Sequence, residues 1–414
     1  MFVYKNNILF IEDTPFSEII KRTGTPCYIY SQSLINSQYT ILRDLFSGLN
    51  CSLRFSVKSL GNIAILALLK KLGAGADIVS GGELFRCKKA GMKGRDLVFS
   101  GAGKTAEEIK AALDFGVEII NAESTEEIGV IEQIAAGLGR TARIAFRINP
   151  DVDARTHKKI TTGKKETKFG IAPEQAAEVL KNKNLFPHID FCGVDMHIGS
   201  QILSVEPFTE AVKKMFSIID FLAAYNFKPQ TFNLGGGFGI VYNSKTEKPF
   251  PFTVYRKKII PLLQSRPYRY LIEPGRFISG PSGLMIAGVQ YTKNTAGKNF
   301  IITDAGFNDL VRPAMYESYH EISPCIIKTA QKPITADIVG PLCETGDIFA
   351  AGRSIEPVKR GEYLAFFNAG AYGTAMSSMY NSRPLAPEVL VSGSSFRIIR
   401  KRWSYKDMLR GEKL

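Results

Sequence analysis

Between residues 50 and 275 the chain repeats one rhythm, a short apolar and β-branched run followed by a longer helix-patterned segment. Strand candidates fall at 52–57, 76–79, 96–99, 118–120, 143–148, 190–196, 231–234 and 270–272. Helix candidates fall at 61–72, 82–90, 106–115, 125–138, 173–183, 205–225 and 252–263. A helix between successive strands returns the chain to the same end, so the strands must run parallel. Eight such units point to a closed (β/α)8 TIM barrel. A doubly wound sheet is the alternative, but no G-x-G-x-x-G run follows the first strand. Gly103-Lys104-Thr105 resembles the end of a Walker A motif, yet Val98 stands where its first glycine is required.

After Arg276 the rhythm changes. Short strand-like runs at 284–292, 300–303, 335–339, 363–367 and 396–400 are separated by Gly, Pro and Asn turns. They read as a mainly antiparallel β domain, and strand-like pieces at 2–11 and 26–30 are expected to join it. The expected organisation is therefore N-terminal strands at 1–32, a barrel at 33–276 and a C-terminal β domain at 277–414. One long loop, 150–172, is polar and rich in Lys, Thr and Gly. It leaves the C-terminal end of the fifth strand, the end where barrel active sites sit, and is expected to act as a mobile lid.

Composition narrows the function. No apolar run approaches a membrane span and Met1-Phe2-Val3-Tyr4-Lys5 does not open a signal peptide, so a cytoplasmic protein with no membrane partner is expected. The six cysteines show no CxxC spacing and there are only four histidines, so no metal site is expected and the thiols should be reduced. The net charge is +14, with basic residues at Lys158-Lys159, at Lys164-Lys165 and in a tail carrying Arg397, Arg400, Lys401, Arg402, Lys406, Arg410 and Lys413. No nucleic-acid-binding motif accompanies them, so no nucleic acid partner is expected. The charge reads as solvated surface that steers acidic ligands.

The residues at the C-terminal ends of the barrel strands carry the chemistry. They are Lys58, Asp77, Ser100, Asn121, Arg147, His197, the run Gly235–Gly239 and Glu273. A lone lysine past a strand is ordinarily a surface charge. Its alternative is a partly desolvated amine able to attack a carbonyl. Leu234-Gly235-Gly236-Gly237-Phe238-Gly239 follows strand seven and Glu273-Pro274-Gly275-Arg276 follows strand eight. Barrels commonly bind phosphate in those two loops. An imine-forming lysine, a phosphate cradle and a carboxylate able to keep a ring nitrogen protonated together suggest pyridoxal 5'-phosphate, with Glu273 in the last role.

These motifs resemble the ornithine/diaminopimelate/arginine decarboxylase family of pyridoxal-phosphate enzymes, which have an alanine-racemase-like fold. The resemblance rests on Phe55-Ser56-Val57-Lys58, Gly75-Ala76-Asp77, His197-Ile198-Gly199-Ser200-Gln201, the glycine run and Glu273-Pro274-Gly275-Arg276. Beyond the barrel it extends through Asp304-Ala305-Gly306, Arg312-Pro313-Ala314-Met315-Tyr316, Gly340-Pro341-Leu342-Cys343-Glu344-Thr345-Gly346-Asp347 and Gly370-Ala371-Tyr372-Gly373. The Arg312–Tyr316 and 343–347 contexts resemble the diaminopimelate branch.

The resemblance implies that Lys58 is the Schiff-base lysine, that His197 stacks on the pyridine ring and that Glu273 pairs with its nitrogen. Asp77, Ser200, Gly236, Gly237, Gly239, Pro274, Gly275, Arg276 and Tyr372 would complete the cofactor site. Arg276, Arg312, Tyr316, Glu344 and Tyr372 would bind substrate, and Cys343 would donate a proton. Cys343 and Glu344 would come from the second subunit of a homodimer with shared active sites. The reaction implied is conversion of meso-diaminopimelate to L-lysine and CO2. Alternatives are decarboxylation of another basic or carrier-linked amino acid, a racemase, or a non-catalytic cofactor-binding barrel.

Overall fold

The computed structural model describes residues 1–153, 168–328 and 331–414. Most of the expected lid, 154–167, lies outside the described residues. The chain divides into two compact units. One comprises Tyr39–Ile240 and Pro249–Gly275; the other comprises Met1–Gln38, Val241–Lys248 and Arg276–Leu414.

The first unit is a closed barrel of eight parallel strands. In chain order these are Cys51–Ser56, Gly75–Ile78, Leu97–Phe99, Ile119–Ala122, Ala142–Arg147, Ile189–Asp195, Thr231–Asn233 and Arg269–Ile272. Each pairs with the next, and the eighth closes on the first with Tyr270 opposite Cys51. Val98, Ile119, Ala145, Cys192 and Leu271 pack together in the interior, so the barrel is a filled core rather than a pore. Three crossover helices start on an S/T-x-x-E signal that satisfies orphan helix N–H groups. Ser80 accepts from the Glu83 N–H, Thr105 and Glu108 form a full capping box, and Ser124 accepts from the Glu127 N–H. The Lys104 of the Walker-like tripeptide is a structural cation. It is buried, and its ammonium donates to the carbonyls of Gly101 and Asn121 and pairs with Glu127 at 2.6 Å.

The second unit holds a nine-stranded sheet. Gly283–Thr295 sits centrally and pairs antiparallel with Lys298–Thr303, Tyr363–Phe366 and Cys27–Ser31. Two pairings are parallel, Lys298–Thr303 with Ile334–Val339 and Cys27–Ser31 with Glu388–Ser392, so the sheet is mainly rather than wholly antiparallel. Strands Ile348–Ile355 and Glu388–Ser392 escape a pattern reading for different reasons. Gly352, at φ 57°, interrupts the first, and the second is buried on both faces and so lacks alternation. A three-stranded sheet, Phe2–Lys5, Ile8–Ile11 and Thr14–Pro15, leads into helix Phe16–Thr23, which buries Phe16, Ile19 and Ile20. Part of the basic tail is structural. Arg400 pairs with the buried Glu388 at 3.0 Å, and Arg402 donates to the Pro26 carbonyl at 2.8 Å.

Candidate active site

The barrel residues expected to carry the chemistry stand at the C-terminal ends of its strands. Lys58 lies in a single 3-10 turn, Val57–Ser59, directly after the first strand. Its Nζ is 3.1 Å from Asp77 Oδ2, at the end of the second strand, and its side chain remains 35% exposed while that of Asp77 is fully buried. That difference matters, because the lysine is anchored by one buried carboxylate and still reachable from outside. Ser56 Oγ ties the first, second and eighth strands together, its one proton shared between Asp77 Oδ2 and the Glu273 carbonyl, each at 3.0 Å.

Glu273 is buried after the eighth strand, and Asn233 Nδ2 donates to its Oε1. Burial first, then the neighbouring Asp77 and Asp195, push its carboxyl well above the usual range. Asp195 ends the sixth strand and is pushed to about 7, again chiefly by burial. Arg147 offsets part of this negative charge. It bonds to Glu123, lies 3.7 Å from Asp195 Oδ2 and stacks 4.7 Å from the centre of the Phe169 ring. Glu123 in turn accepts from the N–H groups of Gly101 and Gly170.

His197 Nδ1 accepts the Gly236 N–H at 3.2 Å, so any ring proton of the neutral imidazole is on Nε2. Enclosure, together with the Lys58 and Arg147 cations, holds its pKa well below the ordinary value, and the ring is neutral. The glycine run fits here because nothing larger would. A Cβ on Gly236 would stand 2.3 Å from the Glu273 carbonyl oxygen, and Gly237 has φ +103°, a conformation side chains rarely adopt. The N–H groups of Gly235, Gly236 and Gly239 are already committed to Asn233 Oδ1, His197 Nδ1 and the Ile202 carbonyl. The run therefore contributes close backbone approach rather than three free amides. Ser200 lies in the same His-Ile-Gly-Ser-Gln segment, whose Gln201 is held at φ 63° and bonds both to the N–H and to the carbonyl of Ile240.

The donor set suits pyridoxal phosphate. A reachable amine stands beside a buried carboxylate, Asp77 Oδ1 lacks a hydrogen-bond partner among the described residues, and a second buried acid, Glu273, lies in the same mouth.

The second unit carries a cluster of opposite sign. Arg276 and Arg312 are both buried. Arg276 donates to the Tyr242 hydroxyl at 2.8 Å and lies 4.9 Å from the centre of the Tyr372 ring. Arg312 lies 4.6 Å from the centre of the Tyr242 ring. Burial alone would raise the Tyr242 phenol, yet Arg276 and Arg312 together pull it below its ordinary value. Tyr372 adopts φ 56°, a sparsely populated conformation for a non-glycine residue. Tyr316 ends the short helix Arg312–Tyr316 and contributes to the electrostatics of both arginines. Cys343 and Glu344 are exposed, on a turn organised by the buried Asp347, which accepts the N–H groups of Leu342 and Phe307. Glu344 Oε1 accepts the Tyr380 hydroxyl.

Comparison with known proteins agrees with this geometry. Residues 32–280 match the family model described as pyridoxal-dependent decarboxylase, pyridoxal binding domain. A diaminopimelate decarboxylase of Aquifex aeolicus is 44% identical over 97% of this chain and 95% of its own length. The chain belongs to the diaminopimelate decarboxylase family. A second member, from Zymomonas mobilis, is 42% identical over 99% of this chain and 98% of its own. The crystal structure of the diaminopimelate decarboxylase from M. jannaschi superposes with a TM-score of 0.94 at 34% identity, covering 100% of this chain and 98% of that one. The Helicobacter pylori diaminopimelate decarboxylase, solved with L-lysine, superposes at 0.90 with 38% identity over 95% and 98% of the two chains. The protein is thus a carboxy-lyase that uses pyridoxal phosphate.

Sequence reading did not single out Glu123, Asp195, Asn233, Tyr242, Ser318 or His320. Asp195 and Asn233 each end a strand on a polar residue, and that signal could have found them.

Proposed function

We propose that the chain decarboxylates meso-2,6-diaminopimelate to L-lysine and CO2, the last step of lysine biosynthesis. The observation that carries this is Lys58 held 3.1 Å from the buried Asp77 in a mouth rich in buried carboxylates. Bound pyridoxal phosphate supplies an electron sink for the bond that breaks. Lys58 Nζ carries the cofactor, and Asp77 orients that nitrogen. Glu273 would keep the ring nitrogen protonated, and neutral His197 would lie against the ring. Ser200, Gly239, the Pro274-Gly275-Arg276 turn and Tyr372 would receive the cofactor's phosphate end, and Gly236 and Gly237 would let it approach the backbone closely.

The substrate carries a second amino-acid group at its far end. Arg276 and Arg312, with Tyr316 and Tyr372, bind the far carboxylate, and Glu344 binds the far ammonium. Cys343 delivers a proton to the carbon that has lost CO2. Its exposure on a surface turn supports a homodimer in which Cys343 and Glu344 act on the partner's substrate.

Complementation tests this arrangement. Lys58→Ala and Cys343→Ala homodimers should each be nearly inactive, and exchanging their subunits should restore activity, since one site of the heterodimer keeps both residues. No recovery in heterodimers confirmed by mass would place Cys343 in its own chain's site or outside the reaction.

A further inference from the structure

Arg312 is only 5% exposed, yet no carboxylate among the described residues pairs with it. Its partners are uncharged. Nη1 lies 3.0 Å from His320 Nε2, Nη2 donates to Ser318 Oγ at 3.1 Å, and the guanidinium stacks on Tyr242. The tautomer of His320 follows from its other nitrogen. Nδ1 is 2.8 Å from the Phe367 carbonyl, which can only accept, so Nδ1 bears the proton and Nε2 offers its lone pair to Arg312. The ring is 1% exposed and cannot turn away to water. Burial, then the Arg312 charge, lowers its pKa to about 3, consistent with a ring that stays neutral beside the guanidinium.

A buried arginine is usually held by an acid, which cancels its charge. Here the supports fix the guanidinium in place and leave its charge uncancelled. Arg276 meets the same tyrosine, whose hydroxyl accepts from its Nη1.

We propose that His320 is a positioning and specificity-determining residue: a neutral acceptor that orients Arg312 while leaving its full positive charge for a ligand carboxylate. This rests on the reading of Arg312 as the receptor for the substrate's far carboxylate. Ser318 serves the same end from the second guanidinium nitrogen. Replacing either support by an acid would supply the missing anion from within and compete with the ligand.

The test compares two ligands that differ only in that carboxylate, L-lysine and 1,5-diaminopentane, titrated by calorimetry into cofactor-loaded wild-type and variant proteins. Wild type should prefer L-lysine. His320→Gln, which keeps an acceptor for Arg312 and a donor for the Phe367 carbonyl, should retain most of that preference. His320→Glu should reduce it by roughly tenfold or more, since a charged hydrogen-bonded contact is lost to the ligand, with diaminopentane affinity unchanged or improved. Because a glutamate at a buried position can prevent folding, Ser318→Asp provides a second route at a half-buried site with the same expected loss. A purely structural histidine would weaken both ligands equally or lower the melting temperature alone. A preference undiminished in folded His320→Glu or Ser318→Asp overturns the proposal. If wild type itself shows no preference for L-lysine, the reading of Arg312 as a carboxylate receptor falls instead.

Discussion

The two ends of the barrel bury charge in opposite ways. Toward the N-terminal ends of the strands, Glu118 receives both Arg54 and Arg269, and Arg143 meets Asp190 at 3.1 Å, so each arginine of this group has a carboxylate. At the C-terminal ends, the cations facing Asp77, Glu123, Asp195 and Glu273 among the described residues are Arg147 and Lys58. Asp77 Oδ1 and Asp195 Oδ1 find no hydrogen-bond partner among the described residues. Uncompensated buried charge is costly, and it persists where a ligand or a reaction completes it. The first end is built for stability and the second for chemistry, on the same eight strands.

Substitutions on the two ends should therefore separate stability from activity. The largest effect is expected at Lys58. Lys58→Ala should abolish the visible absorbance of the bound cofactor and reduce turnover on the order of a thousandfold or more, a loss of activity far larger than any accompanying loss of stability. Borohydride reduction followed by peptide mapping should label Lys58, and label on another lysine would reassign the site.

Glu118→Gln should do the reverse. It leaves the 5% exposed Arg54 without its anion, and breaking a buried pair in this way costs about 3–5 kcal/mol. Denaturant melts should show that loss, while kcat of the folded protein stays near wild type. A large fall in kcat with unchanged stability would erase the contrast between the ends.

The last effect, at Asp195, shows only as a dependence of stability on pH. Its folded pKa, about 7, lies above the ordinary 3.8 because burial disfavours the charged form. The folded state thus binds this proton more tightly than the unfolded chain. Its contribution to stability is fully present below about 3.8 and is lost as pH rises through about 7. Cofactor-free Asp195→Asn should accordingly gain stability relative to wild type across that interval, by at most about 1.4 kcal/mol per pH unit. A difference that is flat with pH would mean that Asp195 is already ionised at the low end.

The same contrast explains what the chain discloses before its fold is seen. Lys58 and Glu273 stand directly after β-patterned runs, so the barrel rhythm alone brings them to one rim, and the glycine run declares itself by composition. Asp195 and Glu123 matter through contacts with Arg147 on the neighbouring fifth strand, which depend on the strand register. Tyr242 and His320 lie in segments without a period of two or 3.6. Their roles arise from long-range packing against Arg276, Arg312 and the Phe367 carbonyl. Residues that act at the end of an element are legible in sequence, whereas residues that act through a neighbour brought in by the fold are not.

The most direct measurement is product stoichiometry. Purified protein loaded with pyridoxal phosphate is supplied separately with meso-diaminopimelate, ornithine and lysine, and CO2 is measured with the amine products. The account predicts one CO2 and one L-lysine for each meso-diaminopimelate consumed, with ornithine and lysine almost untouched and Lys58→Ala inert. Efficient release of CO2 from ornithine, or none from meso-diaminopimelate by cofactor-loaded wild type, would contradict it.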